Sequence, residues 1–156
     1  FHFAGLSSAE DIDQVLSRCN AKGRIAQHAP DTGFARISAA RSTLIIDTGT
    51  TSDAPSFKGR YKDSLHNAAS LLAFEFSVGN APFIVNTGQG AAEPRLRTAF
   101  SQTAAHTALT LDGLDNQHKE TRTLNFDIGP ADGGFLMQAT HDSYVKSHGI
   151  LHTRQL

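Results

Sequence analysis

The stretch LLAFEFSVGNAPFIVNTG, residues 71–88, decides the fold of this chain. Its first part alternates apolar and polar side chains, which is the period of a half-buried strand. The apolar face of that strand carries Leu72, Phe74, Phe76 and Val78. Gly79-Asn80 permits the positive φ angles of a tight turn, so residues 81–85 are predicted to form the return strand. The stretch therefore predicts a hairpin with a core on one side.

The composition restricts the class of protein. A length of 156 residues with 39% apolar residues suits one domain with a buried core. The net charge of -1 and a pI near 6.8 argue against a nucleic-acid partner, which needs clustered Lys and Arg. Cys19 is the single cysteine, so an internal disulfide and a thiolate metal cluster are excluded. No apolar run reaches the ~20 residues of a membrane span, which predicts no membrane partner.

The remainder of the chain predicts one helix and further strands. Ser7 and Glu10 have the spacing of a capping box, which predicts an amphipathic helix over 8–19. Residues 48–63 are predicted to form an exposed loop. Further strands are predicted over 34–39, 42–47, 105–112, 121–128, 134–140 and 150–155. The pattern indicates an all-β fold, an antiparallel β-sandwich with one short N-terminal helix.

The segment LIIDTGTT, residues 44–51, is similar to the active-site signature of aspartic proteases, in which two aspartates share a proton and activate water. The partial echo VNTG, residues 85–88, has Asn86 where a second aspartate is needed. A homodimer with one Asp47 from each chain would supply the pair, so a dimeric protease stays an alternative. The favoured interpretation is a turn, in which Asp47 makes a local hydrogen bond and Gly49 takes a left-handed angle.

Three polar residues on neighbouring predicted strands form a first candidate site. His66, Asn86 and His106 would bring together two imidazoles and an amide, a set that can hold a sugar, orient a carboxylate or bind a metal. His106 is expected on the strand face opposite Leu109 and Leu111, which are expected to point inward. Taken singly, each of the three residues is more typical of a hydrogen-bonded structural position.

A second polar cluster is HDSY, residues 141–144, followed by His148 and His152. His141 beside Asp142 after a strand is compatible with a charge-tuned acid or base, and Tyr144 stands close to it in sequence. The alternative is a polar turn that closes a hairpin, because neighbours in sequence need not face each other on a strand.

Together these segments resemble the C-terminal β domain of the heparinase II/III-like proteins, bacterial relatives of polysaccharide lyases. The resemblance extends through nearly the whole chain, and its most specific part is the order of a Phe-Glu strand, a Val-Asn-Thr-Gly turn and an Ala-Ala-His segment. The matching pieces are FHFAGL (1–6), DTGFAR (31–36), LIIDTG (44–49), LAFEF (72–76), FIVNTG (83–88), TAAHTAL (103–109) and HGILH (148–152).

The resemblance implies a larger protein in which an N-terminal helical toroid packs on the β-sandwich and a sugar-binding cleft lies between them. Residues 1–156 would then be the sandwich domain alone, a fragment of a longer polypeptide, with the toroid absent from this sequence. The implied chemistry is β-elimination, in which a base removes the C5 proton of a uronic acid while other groups hold its carboxylate. The implied partners are an acidic polysaccharide and the toroid, and the implied compartment is the periplasm.

The sequence departs from the family at a zinc position. Members place a His-x-His pair before the Phe-Glu strand, and His66 matches its first, cleft-facing histidine. Ala68 stands at the second, zinc-binding histidine, and Asn86 replaces an aspartate ligand, which leaves His106 alone. An alanine and an amide leave too few ligands for a tetrahedral site, so we predict no bound zinc and no other cofactor.

The predicted function is one wall of a cleft for a uronic-acid-containing, heparin- or alginate-like polysaccharide, with the isolated chain inactive. His66 is the predicted catalytic residue. The predicted substrate-binding residues are His66, Asn86, His106, His141 and Tyr144. A noncatalytic structural or interaction module is the alternative of a different class.

Overall fold

The computed structural model describes residues 9–19, 27–29, 33–49, 68–87, 93–116, 121 and 123–156, and within them two antiparallel sheets. The first sheet has the spatial order β1 (His28–Ala29), β2 (Phe34–Ala39), β3 (Ser42–Asp47), β4 (Phe74–Val78) and β5 (Ala81–Ile84). The second has the order β6 (Thr123–Ala131), β7 (Gly134–His141) and β8 (His152–Gln155). The helices are α1 (Ala9–Arg18), α2 (Pro94–Ser101), α3 (Val145–His148) and a 3-10 turn (Thr103–Ala105).

The predicted antiparallel β-sandwich is confirmed, and so is the short N-terminal helix, which lies within the predicted range. β2 and β3 have the predicted bounds, while β6 and β8 begin later than predicted, at Thr123 and His152. Ser7 of the predicted capping box and residues 50–63 of the predicted loop lie outside the described residues. None of the helices in the described ranges has the length and apolarity to cross a lipid bilayer.

The core lies where the inner faces of the two sheets meet. Its buried members are Ala35, Ile46, Leu71, Leu72, Met137 and Ala139. Phe74, Phe126 and Leu156 pack against this cluster from its borders. Each fully buried aliphatic side chain contributes roughly 1.5–3 kcal/mol relative to exposure, so the cluster is the main attachment between the sheets.

The second sheet has a polar outer face and a mixed inner face. On the outer face of β7 and β8, the hydroxyls of Thr140 and Thr153 lie 2.8 Å apart, and the Gln155 amide donates to the Gln138 carbonyl oxygen at 2.6 Å. Alternation then directs His152 and Arg154 inward from β8, opposite His141 and Ala139 of β7. Two polar side chains of β8 therefore extend the face that begins with the apolar core.

The β4–β5 hairpin forms one edge of the first sheet. Gly79 turns the chain with a φ of 58°, as the sequence predicts, and its N–H donates to the Arg41 carbonyl at 2.7 Å. All four residues of β5 are exposed, and Phe83 keeps 69% of its surface accessible. Pro82 lies on this edge strand, where the missing N–H of proline is tolerated.

Leu72 was predicted to lie on strand β4, and this is wrong because the strand begins only at Phe74. Leu72 has a φ of 59°, which a strand does not allow, and it lies in a turn closed by the Ala73 N–H and the Ser70 carbonyl at 2.7 Å. The Leu72 N–H donates to the Asp47 carbonyl at 2.8 Å. The left-handed angle is maintained because the side chain of Leu72 is completely buried in the core.

The strand predicted over 105–112 is also wrong. A 3-10 turn ends at Ala105, and the following chain is irregular apart from one bridge between Leu111 and Leu114. Leu109, predicted to point inward, is 39% exposed. The bridge closes over Asp112 and Gly113, both with positive φ, so the segment folds back on itself instead of joining a sheet.

Helix α2 is an element that the sequence interpretation missed. Pro94 occupies its first turn, a position for which the fixed φ of proline is suited. The predicted elements include no helix over 94–101, because proline is typical of turns as well as of the first turn of a helix.

Two glycines bring the ends of β2 and β3 into unusually close contact. A Cβ built on Gly33 would lie 2.5 Å from the Gly49 Cα, and one built on Gly49 would lie 3.2 Å from the Gly33 Cα. Gly33 also has a φ of 70°. The prediction that Gly49 has a left-handed angle is wrong, since Gly49 is not one of the described glycines with a positive φ. Close approach, and not backbone conformation, therefore explains the glycine at position 49.

We expect Gly33→Ala to lower the free energy of unfolding by more than about 3 kcal/mol, because the new methyl group would meet backbone that cannot move aside. Gly133→Ala is the matched control, since Gly133 has a φ of 79° with nothing within 4 Å of its Cβ position. The control should lose only the left-handed penalty of about 1–2 kcal/mol. Urea unfolding of both variants gives the comparison, and equal losses would contradict the steric explanation.

Candidate functional site

Asn86 follows β5 and connects three segments through its amide. Its Nδ2 donates to the Phe74 carbonyl at 3.2 Å, and its Oδ1 accepts the Thr107 N–H at 2.8 Å. Its backbone N–H donates to the Glu75 carboxylate at 3.3 Å. Both ends of the amide are therefore engaged with the backbone of β4 and of the segment that follows the 3-10 turn.

Thr107 completes this connection with its hydroxyl. The hydroxyl oxygen accepts the Phe74 N–H at 2.7 Å and lies 2.6 Å from the Phe74 carbonyl and 3.1 Å from Asn86 Oδ1. One side chain thus satisfies both backbone groups of Phe74 on the side where the described residues supply no neighbouring strand. The three residues form the Asn86–Thr107–Phe74 cluster.

We expect Thr107→Val to lower the free energy of unfolding by about 1–3 kcal/mol, because the Phe74 N–H loses its acceptor inside the protein. Thr107→Ser keeps the hydroxyl and should lose less than about 1 kcal/mol through the missing methyl group. Equilibrium unfolding in urea measures both variants. Equal stability of the valine and serine variants would show that the hydroxyl is not needed.

His106 does not lie on a strand, contrary to its predicted position, but caps the 3-10 turn. Both of its ring nitrogens are buried, and neither has a hydrogen-bond partner among the described residues. Burial lowers the pKa of His106, while the nearby Phe100 carbonyl and the Asp115 carboxylate oppose this shift. The imidazole is therefore held neutral next to the Asn86–Thr107–Phe74 cluster.

The residues at the zinc position that the resemblance implies do not fit the metal. The amide of Asn86 is occupied at both ends, Ala68 has no donor atom, and one imidazole remains at His106. Among the described residues, no group of three or more His, Cys, Asp or Glu side chains is arranged to hold an ion.

His141 and His152 form a directly hydrogen-bonded pair across β7 and β8. His141 Nε2 lies 2.9 Å from His152 Nδ1, and the Ser143 backbone N–H donates to His141 Nδ1 at 3.2 Å. His141 is completely buried, whereas His152 is partly exposed. Burial, then the neighbouring His152, lowers the pKa of His141 to about 4, and burial also lowers the pKa of His152. Both rings are neutral at physiological pH.

Tyr144 is completely buried and serves as an attachment for the irregular segment. Its hydroxyl lies 2.6 Å from the Leu109 carbonyl and 3.3 Å from the Leu114 carbonyl, so its proton is donated to the backbone. Burial raises the pKa of Tyr144. His148 lies on the surface side, where its Nε2 is 2.9 Å from the Asp112 carboxylate.

Asn116 and Thr103 hold the other end of the same segment, and both are completely buried. The Asn116 amide donates to the Leu71 carbonyl at 2.8 Å and accepts the Leu71 N–H at 3.3 Å. The Thr103 hydroxyl accepts the Asn116 N–H at 2.7 Å, and the Ser143 hydroxyl donates to the Asn116 carbonyl. The Asn116 side chain therefore satisfies the N–H and carbonyl groups of Leu71, which a neighbouring strand would otherwise do.

Arg154 is a residue that sequence reasoning missed. Its Nη1 donates to the Leu72 carbonyl at 2.6 Å and to the Thr107 carbonyl, and its guanidinium carbon lies 5.4 Å from the centre of the Phe74 ring. The available signal was the alternation of β8, which places a charged residue on an inward-facing position. Arg154 thus bonds to the Asn86–Thr107–Phe74 cluster and lies on the same face of β8 as His152 of the histidine pair.

Asp47 lies at the end of β3 beside the Gly33–Gly49 contact. Its Oδ1 accepts the Gly49 N–H at 3.0 Å, which confirms the predicted local hydrogen bond, and its Oδ2 accepts the Ser70 hydroxyl at 2.7 Å. Burial raises the pKa of Asp47 to about 6, although both hydrogen bonds act in the opposite direction. The carboxylate therefore connects two loops at an energetic cost when it is ionised.

We expect Asp47 to make the protein less stable as pH rises from about 4 to about 6, because the folded carboxyl holds its proton more tightly than the unfolded one. The contribution is complete below pH 4 and lost above pH 6. Asp47→Asn removes this titration, so its stability relative to the wild type should rise across the same window and then stay level, by about 1–3 kcal/mol. Urea unfolding from pH 4 to pH 8 measures the difference, and a flat difference would contradict the assignment.

Of the predicted site residues, the structure places Asn86 in one hydrogen-bonded cluster with Thr107, the neighbour of His106 in the chain. His141 and Tyr144 contact each other in a second group beside β8, and Arg154 of the same strand bonds to the first cluster at Thr107. His66 lies outside the described residues, so its predicted catalytic position stays a prediction.

The fold and the site define an antiparallel β-sandwich domain with a histidine- and arginine-containing polar region beside its core. A family model described as "Heparinase II/III-like, C-terminal" matches residues 21–156. The chain therefore belongs to the heparinase II/III-like family and carries its C-terminal domain, which indicates a polysaccharide lyase-like protein. Comparison with curated proteins gave no match, and comparison with solved structures gave none either.

Proposed function

We propose that this domain forms one wall of a cleft that binds a uronic-acid-containing polysaccharide in a protein acting by β-elimination. The observation that carries the proposal is the match of the family's C-terminal domain to residues 21–156. The helical toroid of the same protein would form the opposite wall and supply most of the catalytic groups. A heparin- or alginate-like glycan would be the substrate class.

The hydrogen bonds of the described polar residues favour a structural role for these side chains, and not direct contact with substrate. The Tyr144 proton is donated to backbone carbonyls, and the His141 ring is completely buried between Ser143 and His152. A catalytic base must reach the proton that it removes, and neither side chain is exposed to do so. In this proposal Asn86, His106, His141 and Tyr144 hold the wall in shape, and His66 is the residue that faces the cleft.

The alternative of a structural or interaction module assigns the same hydrogen bonds to stability alone. The two proposals differ in one property, which is saturable binding of an acidic glycan. The dimeric aspartic protease finds less support, because Asp47 is already engaged by Gly49 and Ser70. Acid proteolysis that disappears in Asp47→Asn would be its required sign.

We expect the 156-residue chain to bind alginate or heparin oligosaccharides saturably but to release no unsaturated uronate, because the proposal assigns most catalytic groups to the toroid. Calorimetry measures the binding, and ultraviolet absorbance of the unsaturated product measures elimination. In a chain that includes the toroid, His66→Ala should abolish elimination while leaving the thermal transition in place.

Carboxyl-reduced oligosaccharides of the same length are the matched control for the binding experiment. Equal binding of the reduced and native forms would show that uronate is not recognised. Absence of any saturable binding would favour the structural module. Rapid elimination by the 156-residue chain would show that the toroid is not required.

A further inference from the structure

Two polar side chains of β8, His152 and Arg154, lie side by side on its inner face, beyond the apolar core. Both are half-buried, whereas the alternating Thr153 and Gln155 are exposed. Neither residue is among those that the sequence assigned to substrate. Their hydrogen-bonding state nevertheless follows from the groups around them.

The tautomers of the histidine pair are determined by the Ser143 backbone. An N–H group can only donate, so His141 Nδ1 must be the acceptor and the proton of the neutral His141 ring lies on Nε2. That proton points at His152 Nδ1, 2.9 Å away, which must also be an acceptor. The proton of the neutral His152 ring is therefore on Nε2, at the far end of the chain of bonds.

This order of protons decides what His152 can bind. A metal would need a lone pair on Nε2, but that nitrogen carries the proton. An acceptor such as a carboxylate oxygen fits instead, because His152 Nε2–H has no partner among the described residues and His152 is partly exposed. His141 acts as a positioning residue, since it fixes the tautomer and the ring orientation of His152.

Arg154 places positive charge next to this donor. Its hydrogen bonds within the described residues come from Nη1 alone and end on the carbonyls of Leu72 and Thr107. The hydrogen-bond partners of Arg154 in the described part of the chain are carbonyl oxygens and not carboxylates. A half-buried guanidinium whose described partners are neutral carbonyls favours an anion at its remaining donors.

The backbone around Arg154 is fixed by strained geometry. Leu72 has a φ of 59°, and in this conformation its carbonyl accepts the Arg154 Nη1 donor. A left-handed angle is unfavourable for a leucine, and such strain concentrates where a group must be held in one position. The guanidinium is thus held in position before any ligand arrives.

We propose that His152 Nε2–H and the Arg154 guanidinium together form a carboxylate-binding site, with His141 as the positioning residue. Within the proposed function, on which the identity of the ligand rests, the carboxylate is that of a uronate residue of the glycan. The neutral N–H contributes direction and the guanidinium contributes charge, the pairing that a planar carboxylate requires. A neutral sugar offers hydroxyls but no charge, so the site discriminates in favour of the acid.

The first experiment is long-range proton–nitrogen NMR of the histidine rings in the 156-residue chain. Both His141 and His152 should be neutral at pH 7 with the proton on Nε2. Sodium glucuronate, titrated to the hundred-millimolar range, should shift the His152 Nε2 and Arg154 Nε resonances, whereas glucose should not. A proton on Nδ1 of His152, or no glucuronate shift, would overturn the site.

The second experiment measures alginate tetrasaccharide binding by variants. His152→Leu should weaken binding by about 10-fold or more, the loss of one charge-assisted hydrogen bond. His141→Leu should weaken binding less and release the tautomer of His152 in the NMR spectrum, and His141→Gln, whose amide can donate in place of Nε2–H, should restore it. His148→Leu removes an imidazole that pairs with Asp112 and should bind like the wild type.

The two experiments separate the site from the proposed function. A glucuronate shift at His152 without tetrasaccharide binding would retain the carboxylate site and reject the glycan-binding wall. Tetrasaccharide binding that is unchanged in His152→Leu would retain the wall and reject the site. Thermal unfolding of each variant shows whether the variant is folded, so that a loss of binding is not caused by unfolding.

Discussion

The structure depends on how buried backbone groups are satisfied in the segment 103–116, which crosses from one sheet to the other without joining either. A strand there would have paired its N–H and C=O groups with a neighbour. Side chains do this instead, with the amides of Asn86 and Asn116 and the hydroxyls of Thr107 and Tyr144 each bonded to main-chain atoms. Because an unpaired buried peptide group costs about as much as a lost hydrogen bond, these contacts decide where the segment lies.

The same constraint explains which parts of the fold could be predicted from the sequence. β2 and β3 were predicted with their bounds because alternation and β-branched residues are local signals, and the β4–β5 hairpin followed from Gly79. The strand over 105–112 was wrong because the partners of that segment, such as Asn86 and Tyr144, are far away in sequence. Apolar periodicity alone does not reveal that a side chain replaces a neighbouring strand.

The candidate site was predicted only in its residue types. Asn86 and His106 were predicted, together with His66, to lie on three neighbouring strands. In the structure His106 instead follows a 3-10 turn, and Asn86 bonds to the hydroxyl of Thr107. An aspartate at position 86 would accept the Thr107 N–H but could not donate to the Phe74 carbonyl, so an amide suits this cluster better. Arg154 escaped detection because its role depends on two carbonyls from Leu72 and Thr107, which no local pattern brings together.

The edge strand β5 has a consequence for self-association. An exposed apolar strand with open backbone groups is a template on which a second copy can add a strand. Pro82 has no backbone N–H, so a strand added to β5 would lack one backbone hydrogen bond at that point. Pro82 therefore disfavours the pairing of β5 with a strand of a second molecule. It limits the association of sheets through this apolar edge, although Phe83 remains exposed to solvent.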